Sequence, residues 1–308
     1  MLLFAFVVAI VRDGDDECDD PSPVDTRGYG YTPGVRAIAG FSDAVFGDYG
    51  RPMAAGGATA SIRVGIAATA PDIGSLRSSD PSIFEVTAGG VYTREAGTTL
   101  MSHHSGTADL VVLDGAGAEI DRTPVSVADS TALALDEEWM DAMPTMLEGF
   151  AVPFHVTPIG RDRADHRVIL VGTGSVSFHV TGTVSQMPMS LSGDQTVLRG
   201  TLGDGAVNAA TLTASVDVPI HVVAATTLTA IDAPDAITAS GSSGVFTVAV
   251  RAGSVRVLGA YCHWEAPPGV SIAAISALTY RVSGPVGPNT VTCMAPNGLS
   301  KTITLTLR

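Results

Sequence analysis

Lysine is nearly absent from this sequence, and long apolar runs, aromatic rings and concentrated positive charge are scarce as well. Lys301 is the single lysine among 17 basic residues, which fits the codon usage of a GC-rich genome and carries no mechanism. Acids outnumber bases by 31 to 17, for a formal net charge of −14. That balance argues against nucleic acid and anionic membrane surfaces as partners, since both are held by clustered Lys and Arg. The longest apolar run, MLLFAFVVAIV (Met1 to Val11), is well short of the roughly 20 residues of a transmembrane helix. Aromatic residues make up 6% of the chain, leaving few stacking platforms for sugars.

Common catalytic and nucleotide-binding spacings are missing too. There is no G-x-S-x-G, H-E-x-x-H or G-x-x-x-x-G-K-[ST], and Gly115-Ala116-Gly117 runs on to Ile120 where a dinucleotide loop would place its last glycine. The reading is therefore non-catalytic, with no cofactor implied.

What is present is β pattern. A hydrophobic fraction of 45% excludes general disorder, and 308 residues suit three modules better than one sandwich. A strand, turn, strand unit closes each third: GTADLVVLDGAGAEIDRTPVSV (Gly106 to Val127), AATLTASVDVPIHVV (Ala209 to Val223) and NTVTCMAPNGLSKTITLTL (Asn289 to Leu307). In the last, Asn297-Gly298 is expected to form a tight primed turn with positive φ at both residues. Fresh alternating runs follow at STALAL (Ser130 to Leu135) and TTLTAI (Thr226 to Ile231), with no long Pro- or Gly-rich linker. The chain accordingly divides into an apolar segment plus acidic tether over 1–32 and three sandwich units over 33–127, 128–223 and 224–308, stacked as a semi-rigid rod.

LRSSDPSIFEV (Leu76 to Val86), followed by GTADLVVLD, resembles the bacterial immunoglobulin-like repeats of invasin-type and other surface proteins. LEGFAVPFHVTP (Leu147 to Pro158) and LVGTGSVSFHVTG (Leu170 to Gly182) look like a diverged copy, and the last third another, so the resemblance spans roughly residues 33 to 308. It implies an all-β tandem array of three immunoglobulin-like sandwiches, display at a cell surface, and spacing or adhesion. It transfers no active site.

The apolar run followed by Arg12 matches the hydrophobic region of a secretory signal, although no basic residue precedes it and no A-x-A site follows. A strand donated to a neighbouring subunit is the alternative. Seven acids between Asp13 and Asp25 leave 24 acids against 16 bases from Thr26 onward, and read as a solvated tether rather than a calcium loop. Cys18 lies in that tether behind Asp15, Asp16 and Glu17, the wrong neighbours for a lipidation site. Cys262 and Cys293 are expected to form a disulfide, as suits an exported protein. Alternation through RVLGAYCHW places Leu258, Ala260, Cys262 and Trp264 on one face, expected to be the core face of the last unit.

Three further clusters carry weaker chemistry. Met140, Met143 and Met146, joined by Met187 and Met189, have the spacing of a soft Cu(I) site; the competing reading is a short helical plug with Trp139 over the middle sandwich. VPFHV, VSFHV and VPIHV turn His155, His179 and His221 toward solvent, on strands of both sheets; a metal trio is the lesser reading. His103 and His104 read as loop residues. Tyr29, Tyr31, Tyr49 and Tyr92 are a loose cluster that keeps a glycan- or ligand-binding module open as an alternative, beside accessory domains of an exported enzyme complex. Lys301 alone excludes Lys–Asn crosslinks from two of the three units. Expected partners are other surface or extracellular proteins, including the chain itself, in a cell-surface, extracellular or periplasmic setting.

Overall fold

A computed structural model of the chain describes residues 35–39, 51–66, 71–92, 95–162, 164–187, 194–239, 241–275 and 278–308. The apolar run, the acidic tether with Cys18, and Tyr29, Tyr31, Tyr49 and Met189 lie outside them. The protein is all-β, a tandem array of three β-sandwiches. Its only helical elements among the described residues are single 3-10 turns at Glu137–Trp139 and Ala225–Thr227.

The first sandwich contains β1 (Val35–Ala39), β2 (Met53–Ala54), β3 (Thr59–Ile66), β4 (Ile73–Ser78), β5 (Phe84–Tyr92), β6 (Glu95–Ser102), β7 (Gly106–Asp114) and β8 (Glu119–Ala128). Sheet β1-β3-β6-β5 packs on sheet β2-β8-β7-β4 around Phe84, Leu100, Leu110 and Val125, all fully buried. Alternation along β8 produces this face: Thr123, Val125 and Val127 are buried while their neighbours are partly exposed.

The second contains β9 (Ala132–Leu135), β10 (Thr145–Leu147), β11 (Ala151–Arg161), β12 (Arg167–Ile169), β13 (Ser177–Gln186), β14 (Gln195–Ala210) and β15 (Ser215–Val223). Its long strands serve both layers. β11 pairs β14 through Ala151 to His155, then β9 and β12 through Val156 to Arg161. Trp139, Phe154, Leu198, Val207 and Ile220 fill the core.

The third contains β16 (Ala230–Asp232), β17 (Ala236–Ala239), β18 (Ser243–Thr247), β19 (Ala249–Ala252), β20 (Val255–Leu258), β21 (His263–Glu265), β22 (Ser271–Ala274), β23 (Thr279–Ser283), β24 (Gly287–Met294) and β25 (Ser300–Leu307). Sheets β17-β25-β24-β21 and β18-β23-β22 enclose Phe246, Val282, Val291, Ile303 and Leu305. Each such apolar side chain stabilises by about 1.5–3 kcal/mol when fully buried.

The same frame recurs in all three. A short early strand pairs in parallel with the closing strand, setting Met53 opposite Val127, Met146 opposite Val222 and Ala239 opposite Leu307. Two residues on, the backbone amide donates to the closing strand in each case: Ala55 to Ala128, Glu148 to Val223 and Gly241 to Arg308. Met53, Met146 and Ala239 are therefore equivalent, and both steps between them are 93 residues.

The turn at Asn297-Gly298 differs from its expected form. Ala295 and Leu299 close the hairpin, Gly298 N–H donates to the Ala295 carbonyl at 2.9 Å, and Gly298 alone carries positive φ, at 87°. This is a three-residue loop in which Pro296 and Asn297 make an ordinary turn and glycine the left-handed step. The Asp114 to Ala118 turn repeats it, with Gly117 at φ 82°.

Candidate functional site: the two joints between sandwiches

Backbone pairing continues from one sandwich to the next at both joints. At the first, Val171 bridges Met53 in parallel: Ala54 N–H donates to the Val171 carbonyl at 3.0 Å, and Val171 N–H to the Pro52 carbonyl at 3.0 Å. Thr59 and Thr173 exchange a second pair of bonds, at 2.8 and 2.9 Å. Val171 belongs to the second sandwich by sequence, yet its side chain packs in the first sandwich's core. Leu170 seals the contact against Ala54 and Ala58, both fully buried.

At the second joint β20 of the third sandwich pairs in parallel with β10, Val257 facing Thr145 and Leu258 facing Met146. Ten strands, including β16, β19 and β20, thereby form one sheet across the joint. Leu258 packs in the middle core, and Leu147, Leu228, Val250, Val257, Ala260 and Ala295 form a cluster between the units. The expected common face for RVLGAYCHW is thus corrected: Leu258 enters the middle core, Ala260 the joint, and Trp264 the core of the third sandwich. The chain turns at Gly259, so strand alternation does not run through the segment.

The two joints are built alike. An apolar residue pairs with the equivalent methionine of the preceding unit and is followed by a left-handed glycine. These glycines are Gly172 (φ 98°) and Gly259 (φ 80°). A Cβ on Gly172 would sit 3.0 Å from Ala58 Cβ, and one on Gly259 2.9 Å from Val152 Cγ2. A hairpin tip then reaches back to the connecting chain. Thr213 Oγ1 donates to the Ser130 carbonyl at 2.7 Å, and Asn297 Nδ2 to the Leu228 carbonyl at 2.9 Å.

A buried carboxylate supports the first joint. Asp194 accepts the Gly174 N–H at 3.3 Å, holding the loop that carries Val171 and Thr173. Burial pushes the Asp194 carboxyl above the usual carboxylate range. Nearby, His155 Nδ1 lies 3.2 Å from Asp136 Oδ1, and this bond raises the His155 pKa against the opposing effect of burial.

Cys262 and Cys293 are joined by a disulfide, with Cα atoms 5.1 Å apart. Trp264 stands directly opposite Cys293 across β21 and β24, and its ring packs on Phe246 and Tyr280 at centroid distances of 5.6 and 5.2 Å. Cys262 touches both the third core and the joint cluster. A cleft beside it, lined by Val250, Leu258, Tyr261 and Tyr280, has a volume of about 10 Å³, room for one water at most. Desolvation there pushes the Tyr261 pKa up to about 12.

The described methionines differ in burial. Met146 is fully buried in the middle core, Met140 and Met143 are exposed, and Met187 is half-buried. Trp139 does plug the core, edge-on to Phe154 at 4.9 Å, but without Met140 and Met143. His155, His179 and His221 occupy outward positions of a single sheet, opposite Gln195, Asn208 and Asp204 of β14. At roughly 3.3 Å per residue those positions spread along the strand and do not converge. His221 instead bonds Asp204 at 2.5 Å. His103 lies in the turn after β6, its Nε2 3.8 Å from Glu85. Among the described residues no group of three His, Cys, Asp or Glu is placed to hold a metal, and no helix is long and apolar enough to cross a membrane.

No family model matches the chain, and no curated protein matches it. Among solved structures it is similar to surface layer protein SbsC, domains 4–9 (14% identity, 89% of this chain and 48% of that one, TM-score 0.31). It is also similar to invasin, a bacterial integrin-binding protein (12% identity, 89% and 59%, TM-score 0.26), and to the I9–I11 tandem of titin (14%, 83% and 95%, TM-score 0.21). The chain spans about half the length of the two SbsC structures that head this group, 48% and 54%.

Proposed function

We propose that this chain is a non-catalytic, exported surface protein whose three sandwiches, bounded at 33–127, 128–223 and 224–308, act as a stiff spacer, adhesion or assembly module. The observation that carries this reading is the pair of backbone-paired joints. A flexible tether needs none of that pairing. A spacer needs it, because a joint held only by side chains bends, whereas strand hydrogen bonds and a shared core fix the angle between units. The Cys262–Cys293 disulfide supports export, since such bonds persist in oxidising compartments.

The closing strands add a mechanical argument. Each early strand runs parallel to its closing strand, so force applied along the chain loads those hydrogen bonds together in shear. Intact cells that make the protein, treated with a membrane-impermeant amine or carboxylate label, test the location. Labelled protein with Cys262 and Cys293 oxidised is expected; protein confined to the cytosol with both thiols reduced contradicts the reading.

A further inference from the structure

The third sandwich repeats the frame on which the first two each seat their successor. In the first sandwich Met53 faces Val127 on one side and Val171 on the other; in the second, Met146 faces Val222 and Leu258. In the third, Ala239 faces Leu307 with the same offset to the Gly241–Arg308 bond. Its strand, β17, has β25 as its one strand neighbour among the described residues. The Thr238 carbonyl stands where the Pro52 carbonyl accepts the Val171 N–H. Ala239 itself is only partly buried, whereas Met53 and Met146 are fully covered.

We propose that the outer edge of β17 is a docking site for a further β-sandwich module following this one, and that it takes the same donor: an apolar residue and a left-handed glycine on the connection that enters the module's third core strand. Continuity with two established interfaces defines both the seat and the occupant. The donor's amide bonds the Thr238 carbonyl, its apolar side chain covers Ala239, and its glycine lies over the start of β18, as Gly172 lies against Ala58 and Thr59 and Gly259 against Val152.

A second copy of this chain is a poor occupant. Both donors it carries, Val171-Gly172 and Leu258-Gly259, are already seated within the chain. The corresponding connection in the first sandwich, residues 67–72 (AATAPD), has no glycine. The chemistry at β17 therefore selects a module with a donor connection like those of the second and third sandwiches. This inference shares the joint geometry with the proposed spacer role but is independent of location at a cell surface.

The test extends the full chain by a second copy of residues 224–308 placed after Arg308, which supplies a linker and a Leu258-Gly259 donor. Hydrogen exchange over the original segment Thr238 to Gly241 is expected to slow by at least about tenfold. Leu258→Asp made in the appended copy alone should return exchange to the parent rate while leaving the parent sequence untouched. An appended unit that folds but leaves exchange over 238–241 unchanged, or that fails to fold when placed after Arg308, overturns the proposal. Neither result bears on the surface-labelling experiment, so the two readings fail separately.

Discussion

Val171 pairs in parallel with Met53, residues that lie in different sandwiches, and its side chain is buried in the core of the first. The first sandwich is therefore completed by the second. Val171→Ala removes two buried methyl groups and is expected to destabilise the first unit by about 1.5–2.5 kcal/mol. Because Met53 and Val171 are in contact, Met53→Ala and Val171→Ala should be non-additive in a double-mutant cycle read by denaturant unfolding. Additive losses would mean that the two side chains are not energetically coupled across the joint.

The joint glycines give a second prediction. Gly259→Ala forces a left-handed φ on a side-chain-bearing residue and drives its Cβ to 2.9 Å from Val152 Cγ2. The expected cost is about 1–3 kcal/mol. The loss should be local: hydrogen exchange over Thr145 to Leu147 accelerates while exchange over β7 and β8 is unchanged. Gly298→Ala, with similar φ and nothing within 4 Å of the new Cβ, serves as the control that isolates the contact from the backbone effect.

Removing the disulfide, as Cys262→Ala with Cys293→Ala, opens a loop whose ends are separated by 31 residues. The chain-entropy model gives a loss of about 3–4 kcal/mol. The third sandwich should unfold first in the variant, and a reducing agent should reproduce the effect on the native chain. Calorimetry showing one unchanged transition would contradict a stabilising role for this bond in the third sandwich.

Asp194 and His155 make the middle unit sensitive to pH in one direction. Burial raises the Asp194 pKa and Asp136 raises that of His155, so in both cases the folded state binds its proton more tightly than the unfolded chain. Their contribution is largest at low pH. It is lost for His155 as pH rises from about 6.5 through its raised folded value, and for Asp194 as pH rises from about 3.9 through its own. Asp194→Asn should flatten the acid part of the stability profile and Asp136→Asn the part near neutrality. Profiles of native slope in both variants would exclude these groups as the cause.

Much of the fold was legible in the sequence because alternation reports burial directly. Ile303, Leu305 and Leu307 in β25, and the outward His155, His179 and His221, follow from period two alone. The disulfide was legible because two cysteines fell in one repeat. The joints were not. Val171 and Leu258 read as ordinary strand residues of their own units, and only tertiary pairing sends them into the preceding core. A signal did exist in retrospect: Val171-Gly172 and Leu258-Gly259 are both apolar-glycine pairs on the connection entering the third core strand, ahead of β13 and β21. The turn at Asn297-Gly298 departs from the two-residue primed form because Pro296, held at negative φ, takes the first of three loop positions and leaves the left-handed step to Gly298 alone.

Rotational tumbling of the full chain in solution tests the central claim most directly. If the joints hold the three sandwiches as one stiff body, backbone nitrogen-15 relaxation over β6 to β8, β13 to β15 and β23 to β25 should fit a single anisotropic diffusion tensor, with the slow overall correlation time of a 31.4 kDa particle. Three separate and faster correlation times, each typical of a sandwich of about 10 kDa, would contradict it.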